Sequence, residues 1–306
     1  MRKKRSEGLL RQPLSGVWRN EMVLDRSILK YLPARRTNSH KGTYGKVLCA
    51  AGSKNMAGAA YLSSCAAYRT GAGLVRVLTP EDNRVILQQL IPEAVLTTFD
   101  TGHPDDRMFG ESFEWADAAA IGPGLGRESW AAALVEKMMK EYHKPLVVDA
   151  DGLNHLAARP ELLASHEGPV IVTPHAGEFS RLTGLPIGEF AGKLPDAAAE
   201  FAVSRGCICV LKGAPSAVAA PDGRTWVNTT GNNGMSTGGS GDVLTGIIAG
   251  LLGQGTAPLE AALLGVWLHG RAGDIAVQTE GTYGMMARHL LGCLPQAMQD
   301  KGESRV

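Results

Sequence analysis

The segment KVLCAAGSKNMAGAAYLSSCAAYRTGAGLVRVLT, residues 46–79, decides the fold class of this chain. It opens on a short apolar run at 46–51, turns at a glycine, and continues into an Ala-rich helical stretch at 58–70. A second apolar run follows at 74–79. Short apolar strands that alternate with helices are typical of βαβ units, whose parallel sheet is covered on both faces. The segment therefore predicts an α/β protein with a mostly parallel central sheet and helices on both faces.

The same alternation continues along the chain. Further apolar strands are predicted at 118–122, 145–150, 170–173 and 207–212. Helices are predicted between them at 129–142 and 195–205, and two closing helices at 241–254 and 259–277. A Pro-Asp-Gly turn separates 216–220 from 225–228, which predicts an antiparallel hairpin at the sheet edge.

The domain organisation follows from the absence of any visible repeat or linker. We expect one domain over residues 26–300. The basic start, MRKKRSEGLLRQ, has no apolar segment after it, so residues 1–25 are expected to be a solvated or disordered tail and not a secretory signal.

Composition excludes several classes of protein. The chain has 306 residues, 44% of them hydrophobic, with 31 Lys and Arg against 30 Asp and Glu. A net charge of +1 argues against nucleic-acid binding, which needs a cationic excess, and the apolar content argues against disorder. No apolar run approaches the roughly 20 residues of a membrane span. The five cysteines are scattered, and the pair Cys207 and Cys209 lies inside a strand, which favours buried thiols in a reducing cytoplasm.

Polar or glycine-rich residues follow five of the predicted strands. Gly52, Gly122, Asp149, Thr173 and Lys212 each come at or just after a strand end. In open α/β sheets, ligands bind outside the carboxyl ends of the strands. Glycine alone often ends a strand, but the coincidence of five such ends predicts one binding crevice.

The segment GNNGMSTGGSGD, residues 231–242, carries the strongest chemical signal and runs directly into the apolar helix VLTGIIAGLL. Small residues before a helix leave backbone N–H groups open to an anion, and the helix dipole favours negative charge there. The segment is not a Walker A loop, because the G-K-[ST] ending is missing. Asp242 could simply start the helix, but a carboxylate beside a phosphate site is better explained as the base that activates an attacking hydroxyl. We expect the helix N-terminus to keep Asp242 ionised.

This segment resembles the signature of the ribokinase-like superfamily, whose G-x-G-D aspartate is the catalytic base. Six other segments resemble one branch of it, the nucleotide-dependent NAD(P)H-hydrate dehydratases, or YjeF C-terminal-like carbohydrate kinase family. They are SHKGTYGKVLCAAGS (39–53), MAGAAYLSSCAAYRTGAGLVRV (56–77), IGPGLG (121–126), VVDADGLNHLA (147–157), VTPHAGEFSRLTG (172–184) and VLKG (210–213). The resemblance covers about residues 25–295 and implies a ribokinase-like, three-layer αβα fold. The family often carries an N-terminal epimerase domain, for which the residues ahead of His40 are too few, so epimerase activity is expected to be absent.

The resemblance also implies a reaction. The substrate would be the S form of hydrated NADH or NADPH, and ADP would be the co-substrate, with Mg²⁺, leaving AMP and phosphate. Phosphorylation turns the ring hydroxyl, a poor leaving group, into a good one, while Asp242 accepts its proton. The family is commonly tetrameric, so a homo-oligomer is expected, with neither a nucleic-acid nor a membrane partner.

Site residues carried over by the resemblance fall into four groups. Asp242 would be catalytic, beside an anion hole of Gly238, Gly239, Ser240 and Gly241. The nucleotide would lie on Lys212, Gly213, Ala214, Pro215, Ser216 and Gly241. The hydrated dinucleotide would lie on Gly58, Ala59, Gly122, Gly124, His175 and Asp242. Asp149 and Asp151, two residues apart at a strand end, would share one direction and hold Mg²⁺ through water.

Some of these residues also have simpler explanations. His175 could be a helix N-cap neighbour, and Lys212 could be a surface lysine, although a lysine that closes an apolar strand favours a phosphate contact. His40 is expected to close the start of the first strand, and His269 to be ordinary helix packing. For the whole chain, a ribokinase-like sugar or vitamin kinase explains GGSGD equally well but gives no reason for HKGTYG and VTPHAGEF. A non-enzymatic nucleotide-binding protein would need Asp242 to be lost.

Overall fold

The computed structural model describes residues 22–299, and a ten-stranded sheet runs through them. The strands are β1 (Met22–Val23), β2 (Lys46–Ala50), β3 (Leu74–Pro80), β4 (Val95–Phe99), β5 (Ala118–Ile121), β6 (Leu146–Val148), β7 (Val170–Val172), β8 (Ile208–Leu211), β9 (Ser216–Ala219) and β10 (Thr225–Asn228). Their order across the sheet is β1-β10-β9-β8-β7-β6-β5-β2-β3-β4. Neighbouring strands pair in parallel except for β9, which is antiparallel to both β8 and β10. The predicted strands and the hairpin are therefore confirmed.

Eleven α-helices accompany these strands within residues 22–299. They are α1 (Ala57–Thr70), α2 (Arg84–Leu90), α3 (Asp106–Trp115), α4 (Ser129–Glu141), α5 (Ala150–Ala158), α6 (Ala176–Thr183), α7 (Ile187–Phe190), α8 (Leu194–Arg205), α9 (Ser240–Gly253), α10 (Pro258–Gly284) and α11 (Ala287–Gln299). The two predicted closing helices are confirmed as α9 and α10, and a further helix that was not predicted, α11, follows them. Within the described residues, none of these helices is long and apolar enough to span a membrane.

Side chains alternate between the two faces of the sheet and create two cores. In β2, Val47 and Cys49 join the core that α1, α9, α10 and α11 cover. Leu48 and Ala50 point the other way, into the core beneath helices α3 to α8. This alternation follows from the two-residue period of a strand, and it confirms the predicted three layers with helices on both faces.

The sheet edge at β10 differs from the prediction, because β1 covers it. Met22 pairs with Trp226 and Val23 with Val227, and Leu24 is buried. Residues 22–25 therefore belong to the domain, and the expected tail is wrong for them. The remainder of that tail, residues 1–21, lies outside the described residues.

Helix α9 occupies the centre of one face, and residues from Val243 to Gly253 are buried along its whole length. A helix that is apolar on all sides fits such a place. Its contact with α1 depends on small residues, since a Cβ at Gly246 would overlap the carbonyl oxygen of Ser63. This close packing fixes where the first turn of α9 lies relative to the strand ends.

We expect Gly246→Ala to lower the free energy of unfolding by roughly 1–3 kcal/mol, because the added methyl overpacks the α1–α9 contact. The matched control is Gly292→Ala in α11, where an added Cβ meets nothing within 4 Å. The free energy of unfolding of that variant should rise by roughly 0.5–1 kcal/mol, since an exposed glycine within a helix is conformationally costly. Urea denaturation measures both values. Equal stability of the two variants would contradict the packing argument.

Candidate functional site

The carboxyl ends of the parallel strands meet at one edge of the sheet, as predicted. Asp149 follows β6, His175 follows β7 by three residues, and Lys212 follows β8. His175 and Lys212 form an isolated parallel bridge three residues beyond the last β7–β8 pair, Val172 with Cys209. The N-terminal part of α9 lies against these strand ends, where Thr245 in its second turn donates a hydrogen bond of 2.7 Å to Asp149 Oδ2. The candidate site is thus a polar cluster between strand ends and one helix N-terminus.

Lys212 lies at the centre of this cluster. Its Nζ donates to Asp149 Oδ1 at 2.8 Å and lies 3.7 Å from Glu178 Oε2. Burial lowers the pKa of Lys212, but the attraction of Asp149 and Glu178 outweighs it and leaves the pKa above its ordinary value. The ammonium is therefore charged at neutral pH, and it offsets the charge of Asp149, which is only 1% exposed.

Asp242 lies in the first turn of α9, as predicted, but its ionisation differs from the prediction. Burial, and next the charge of Asp149, raise the pKa of Asp242 to about 7, although Lys212 opposes both. Loss of hydration outweighs the helix N-terminus, so the expectation of a fully ionised carboxylate is wrong. A carboxylate with a pKa near neutrality is well matched to accept a proton in this pH range.

The glycines before α9 have separate structural reasons. Gly239 has φ +89°, and a Cβ there would overlap Leu62, so this position requires glycine for the turn into the helix. A Cβ at Gly241 would lie 3.2 Å from Lys212 Nζ. At Gly238 an added Cβ meets nothing within 4 Å. Local packing therefore explains the glycine at 239, whereas the prediction that Gly238 and Gly241 are small to admit phosphate oxygens stays a prediction.

The turn after β8 forms the outer rim of the cluster. Gly213, Ala214 and Pro215 are exposed. Ser216 Oγ closes the turn by donating to the Gly213 carbonyl at 2.9 Å, and the Gly213 N–H lies 3.2 Å from the same Oγ. The Ser216 hydroxyl therefore has a structural role, and the predicted nucleotide contact of this segment stays a prediction.

Two more glycines, in the turn after β5, allow close packing against the end of β6 and the start of α1. Gly122 has φ +121°, and a Cβ there would overlap the Asp149 carbonyl oxygen. Gly124 has φ +60°, and its Cβ would lie 2.7 Å from that of Ala59. The structure thus brings Gly122, Gly124 and Ala59 together, while Gly58 beside them has open space where a side chain would be. Their contact with a dinucleotide stays a prediction.

The two aspartates do not share one ligand position. Asp149 uses both oxygens on Lys212 and Thr245, whereas Asp151 accepts from the Gly126 N–H at 2.9 Å and from Asn154 Nδ2 at 3.1 Å. Among residues 22–299, no group of three or more His, Cys, Asp or Glu side chains could hold a metal ion. A contact of Asp149 with Mg²⁺ through water stays a prediction, and in this structure both of its oxygens already have partners. A role for Asp151 stays a prediction.

His175 is the N-cap of α6, which was its simpler explanation. Its Nδ1 accepts from the N–H groups of Gly177 at 2.9 Å and Glu178 at 3.3 Å, and Glu178 Oε2 accepts from the His175 N–H at 2.8 Å. Because Nδ1 is an acceptor, the ring hydrogen lies on Nε2, which is 3.2 Å from Glu178 Oε1. The side chain is still 53% exposed, so the cap leaves one ring face open to a ligand. His40 is likewise an N-cap, on the short 3₁₀ helix Lys41–Tyr44, which confirms its structural role.

Sequence reasoning missed three residues of the cluster. Glu178, 6% exposed, lies between His175 and Lys212. Thr245 holds Asp149, and His269 Nε2 lies 2.9 Å from the Ser240 carbonyl oxygen. The available signal for Glu178 was its spacing three residues after His175, which is the spacing of a capping box.

Comparison with known proteins agrees with this geometry. The family model described as NAD(P)H-hydrate dehydratase matches residues 47–296. Among curated relatives, the bifunctional NAD(P)H-hydrate repair enzyme Nnr of Moorella thermoacetica is 41% identical over 89% of this chain and 52% of that protein. The ADP-dependent (S)-NAD(P)H-hydrate dehydratase of Bacillus subtilis is 36% identical over 87% of this chain and 93% of that protein. The chain thus spans about half the length of the bifunctional relative.

Solved structures give the same result. The ADP/ATP-dependent NAD(P)H-hydrate dehydratase of Bacillus subtilis, co-crystallised with ATP/Mg²⁺, is 35% identical with a TM-score of 0.78, over 89% of this chain and 95% of that one. A ribokinase-like superfamily protein of Enterococcus faecalis is 30% identical with a TM-score of 0.80, over 92% and 97%. These likenesses confirm the predicted ribokinase-like fold.

Proposed function

Because this chain belongs to the NAD(P)H-hydrate dehydratase family, we propose that it converts the S form of hydrated NADH and NADPH back to NADH and NADPH at the expense of ADP. The observation that carries the proposal is Asp242, whose pKa is raised to about 7 in the first turn of α9, near the partly buried ammonium of Lys212. A base matched to neutral pH and a fixed cation are what a phosphoryl transfer to a hydroxyl needs.

In the proposed reaction the hydroxyl on the hydrated ring attacks the terminal phosphorus of ADP. Asp242 takes the hydroxyl proton, the new O–P bond forms, and AMP leaves. The C–O bond of the ring then breaks with help from the ring nitrogen, phosphate departs, and a proton is lost from the neighbouring ring carbon. The products are the dihydronicotinamide, AMP and phosphate, so the overall change is a dehydration coupled to ADP cleavage.

The nucleotide is proposed to lie on the segment 212–216 and on Gly241. Lys212 offers the positive charge, and the exposed backbone of Gly213, Ala214 and Pro215 offers a rim without bulky side chains. N–H groups from Gly238 to Gly241 would face the transferring phosphoryl group at the positive end of the α9 dipole. Mg²⁺ is proposed to arrive with the ADP phosphates and to neutralise part of their charge.

The hydrated dinucleotide is proposed to lie across Gly58, Ala59, Gly122 and Gly124 and to reach His175. The nicotinamide end would then meet Asp242, while the open space at Gly58 leaves the backbone accessible. Five free cysteines within the described residues support a reducing compartment, and we propose the cytoplasm. The expected tetramer stays a prediction that light scattering would test.

The test of the function is direct. Incubation with ADP, Mg²⁺ and hydrated NADH should restore the NADH absorbance, with one AMP and one phosphate released for each NADH. A matched incubation with ATP measures the nucleotide preference. Nucleotide cleavage only in the presence of a sugar or vitamin alcohol would contradict the proposal and indicate a kinase.

His175 should serve the hydrate and not the nucleotide. We expect His175→Asn to raise the KM for hydrated NADH roughly 3- to 10-fold, the value of a neutral hydrogen bond, and to leave the affinity for ADP nearly unchanged. Asparagine is chosen because it caps helices as well as any residue, so α6 keeps its start. Steady-state kinetics and calorimetry with ADP give the two numbers. Loss of ADP binding in the folded variant would reverse the assignment, since Glu178 connects His175 to Lys212.

A further inference from the structure

Helix α10 presents one face to the glycine-rich loop that precedes α9. His269, Gly270, Gly273 and Asp274 line this side of the helix, because residues three and four apart lie side by side, as His269 and Gly273 do and as Gly270 and Asp274 do. A Cβ at Gly270 would overlap Thr230, and one at Gly273 would overlap the sulfur of Met235. The two glycines therefore let the helix backbone lie directly against the loop. The proposed reaction uses none of these residues.

The two polar residues of this face hold the two ends of the loop. Asp274 accepts from the Gly231 N–H at 3.1 Å and from Asn232 Nδ2 at 3.2 Å. At the other end, His269 Nε2 lies 2.9 Å from the backbone carbonyl oxygen of Ser240 and 3.2 Å from its Oγ. Ser240 is the first residue of α9 and only 8% exposed, so its position is closely defined.

The hydrogen on the His269 ring can be placed by its contacts. Burial lowers the pKa of His269 to about 4, so the ring is neutral at pH 7 and carries a single N–H. A carbonyl oxygen can only accept a hydrogen bond, so the ring N–H must be on Nε2. The Ser240 Oγ therefore faces a donor and cannot give its own hydrogen to His269. That hydroxyl hydrogen is left for another acceptor.

We propose that His269 is a positioning residue that makes the Ser240 hydroxyl a hydrogen-bond donor to the phosphoryl group at the start of α9. The inference rests on the proposed function, since it gives this part of the site one more donor to the phosphoryl oxygens. Ser240 comes two residues before Asp242 in the same helical turn. A donor at this place stabilises negative charge as it develops, whereas an acceptor would repel it.

The experiment is a double-mutant cycle with His269→Phe, Ser240→Ala and the two combined. We expect Ser240→Ala to lower kcat about 10²-fold, as removal of one preorganised donor does, and His269→Phe to lower it about 10-fold. The double variant should be no slower than Ser240→Ala alone, because His269 acts through that hydroxyl. The pH dependence of kcat should stay unchanged, since the ring is neutral. His269→Gln, whose amide can donate to the same carbonyl, should recover part of the loss.

His166 is the matched control. Its Nε2 lies 3.0 Å from the Lys144 carbonyl oxygen, and burial lowers its pKa as well. His166 precedes β7 and Lys144 precedes β6, so this contact lies at the sheet edge opposite the candidate site. His166→Phe should therefore lower stability as His269→Phe does and leave kcat as in the wild type.

Two results would overturn the inference. The first is a fall in kcat caused by His269→Phe that is as large in the Ser240→Ala background as in the wild type. The second is a fall in kcat in His166→Phe as large as the fall in His269→Phe. Calorimetry with inorganic phosphate gives the same comparison without turnover, and phosphate affinity should fall in both single variants. If phosphate affinity falls in both single variants but the wild-type protein never forms NADH, the proposed function is contradicted and the inference about His269 is not.

Discussion

Replacing Asp242 with asparagine is expected to lower kcat by about 10²-fold or more and to leave the affinity for ADP close to the wild-type value. Asparagine keeps the size of the side chain and favours the start of a helix, but it cannot accept a proton from the substrate hydroxyl. Single-turnover kinetics with saturating ADP measures the chemical step, and calorimetry measures ADP binding. If turnover survives within a few-fold, Asp242 only starts the helix and the proposed reaction is wrong.

Asp242→Asn, which should lower kcat, is expected to have the opposite effect on stability and to raise it. The pKa of Asp242 is about 7 in the folded protein and about 3.9 when unfolded, so the folded state binds the extra proton between these values. The stability that this protonation contributes is complete below about pH 4 and is lost as the pH rises through 7. At pH 8 the ionised carboxylate therefore destabilises the fold, and Asp242→Asn should raise the Tm.

Asp106 gives the control for the helix start. It lies in the first turn of α3 and is 81% exposed, with Lys137 Nζ at 3.5 Å. Asp106→Asn should leave kcat unchanged and lower stability slightly, because it removes a favourable charge from a helix N-terminus. A rise in Tm at Asp242 together with a small fall at Asp106 would separate a functional carboxylate from a stabilising one.

Most of the sheet could be predicted because its central strands are short and apolar and are flanked by glycine, proline or polar residues. The missed elements lack such signals. Strand β4, VLTTF, is an edge strand with only its last two residues buried, and β1 has two residues. Helix α11 contains Pro295, which argues against a helix in any reading of sequence. Tertiary packing, not local preference, decides these three.

The location of the candidate site in the fold could be predicted, but most of the contacts between its side chains could not. Strand direction alone brings Asp149, His175 and Lys212 to one edge, since parallel strands end together. It does not say that Lys212 bonds Asp149, 63 residues earlier, or that His269 reaches Ser240. The pKa of Asp242 depends on such contacts and on burial. For that reason, sequence reasoning alone could not weigh the loss of hydration at Asp242 against the helix dipole.

The buried ion pair makes Lys212→Met the most informative variant after Asp242→Asn. Removal of the Lys212 ammonium leaves Asp149, which is 1% exposed, without a counter-charge. Breaking a buried pair from one side costs about 3 kcal/mol or more of folding free energy. If Lys212 also contacts a phosphate of ADP, the Kd for ADP should rise roughly 10- to 100-fold, the value of a hydrogen bond to a charged group. Urea denaturation and calorimetry measure the two effects separately.

The pH dependence of the same variant has a definite sign. Asp242 acts as a base only when ionised, so wild-type kcat should fall as the pH drops through about 7. Lys212 lowers the pKa of Asp242, and its loss should therefore move this acid limb to higher pH. An acid limb that stays in place would show that the charge of Lys212 does not reach Asp242.

The double variant Asp149→Asn with Lys212→Met separates structure from binding. Removing both charges relieves the unpaired carboxylate, and neutral replacement of a buried pair is often close to neutral for stability, so most of the lost folding energy should return. Because Asp149 raises the pKa of Asp242 and Lys212 lowers it, the acid limb should also move back toward its wild-type position. The affinity for ADP should not recover, since the ammonium is still missing. Recovery of ADP binding in the double variant, or an unchanged Kd in Lys212→Met, would remove Lys212 from the nucleotide site and leave it only as the counter-charge of Asp149.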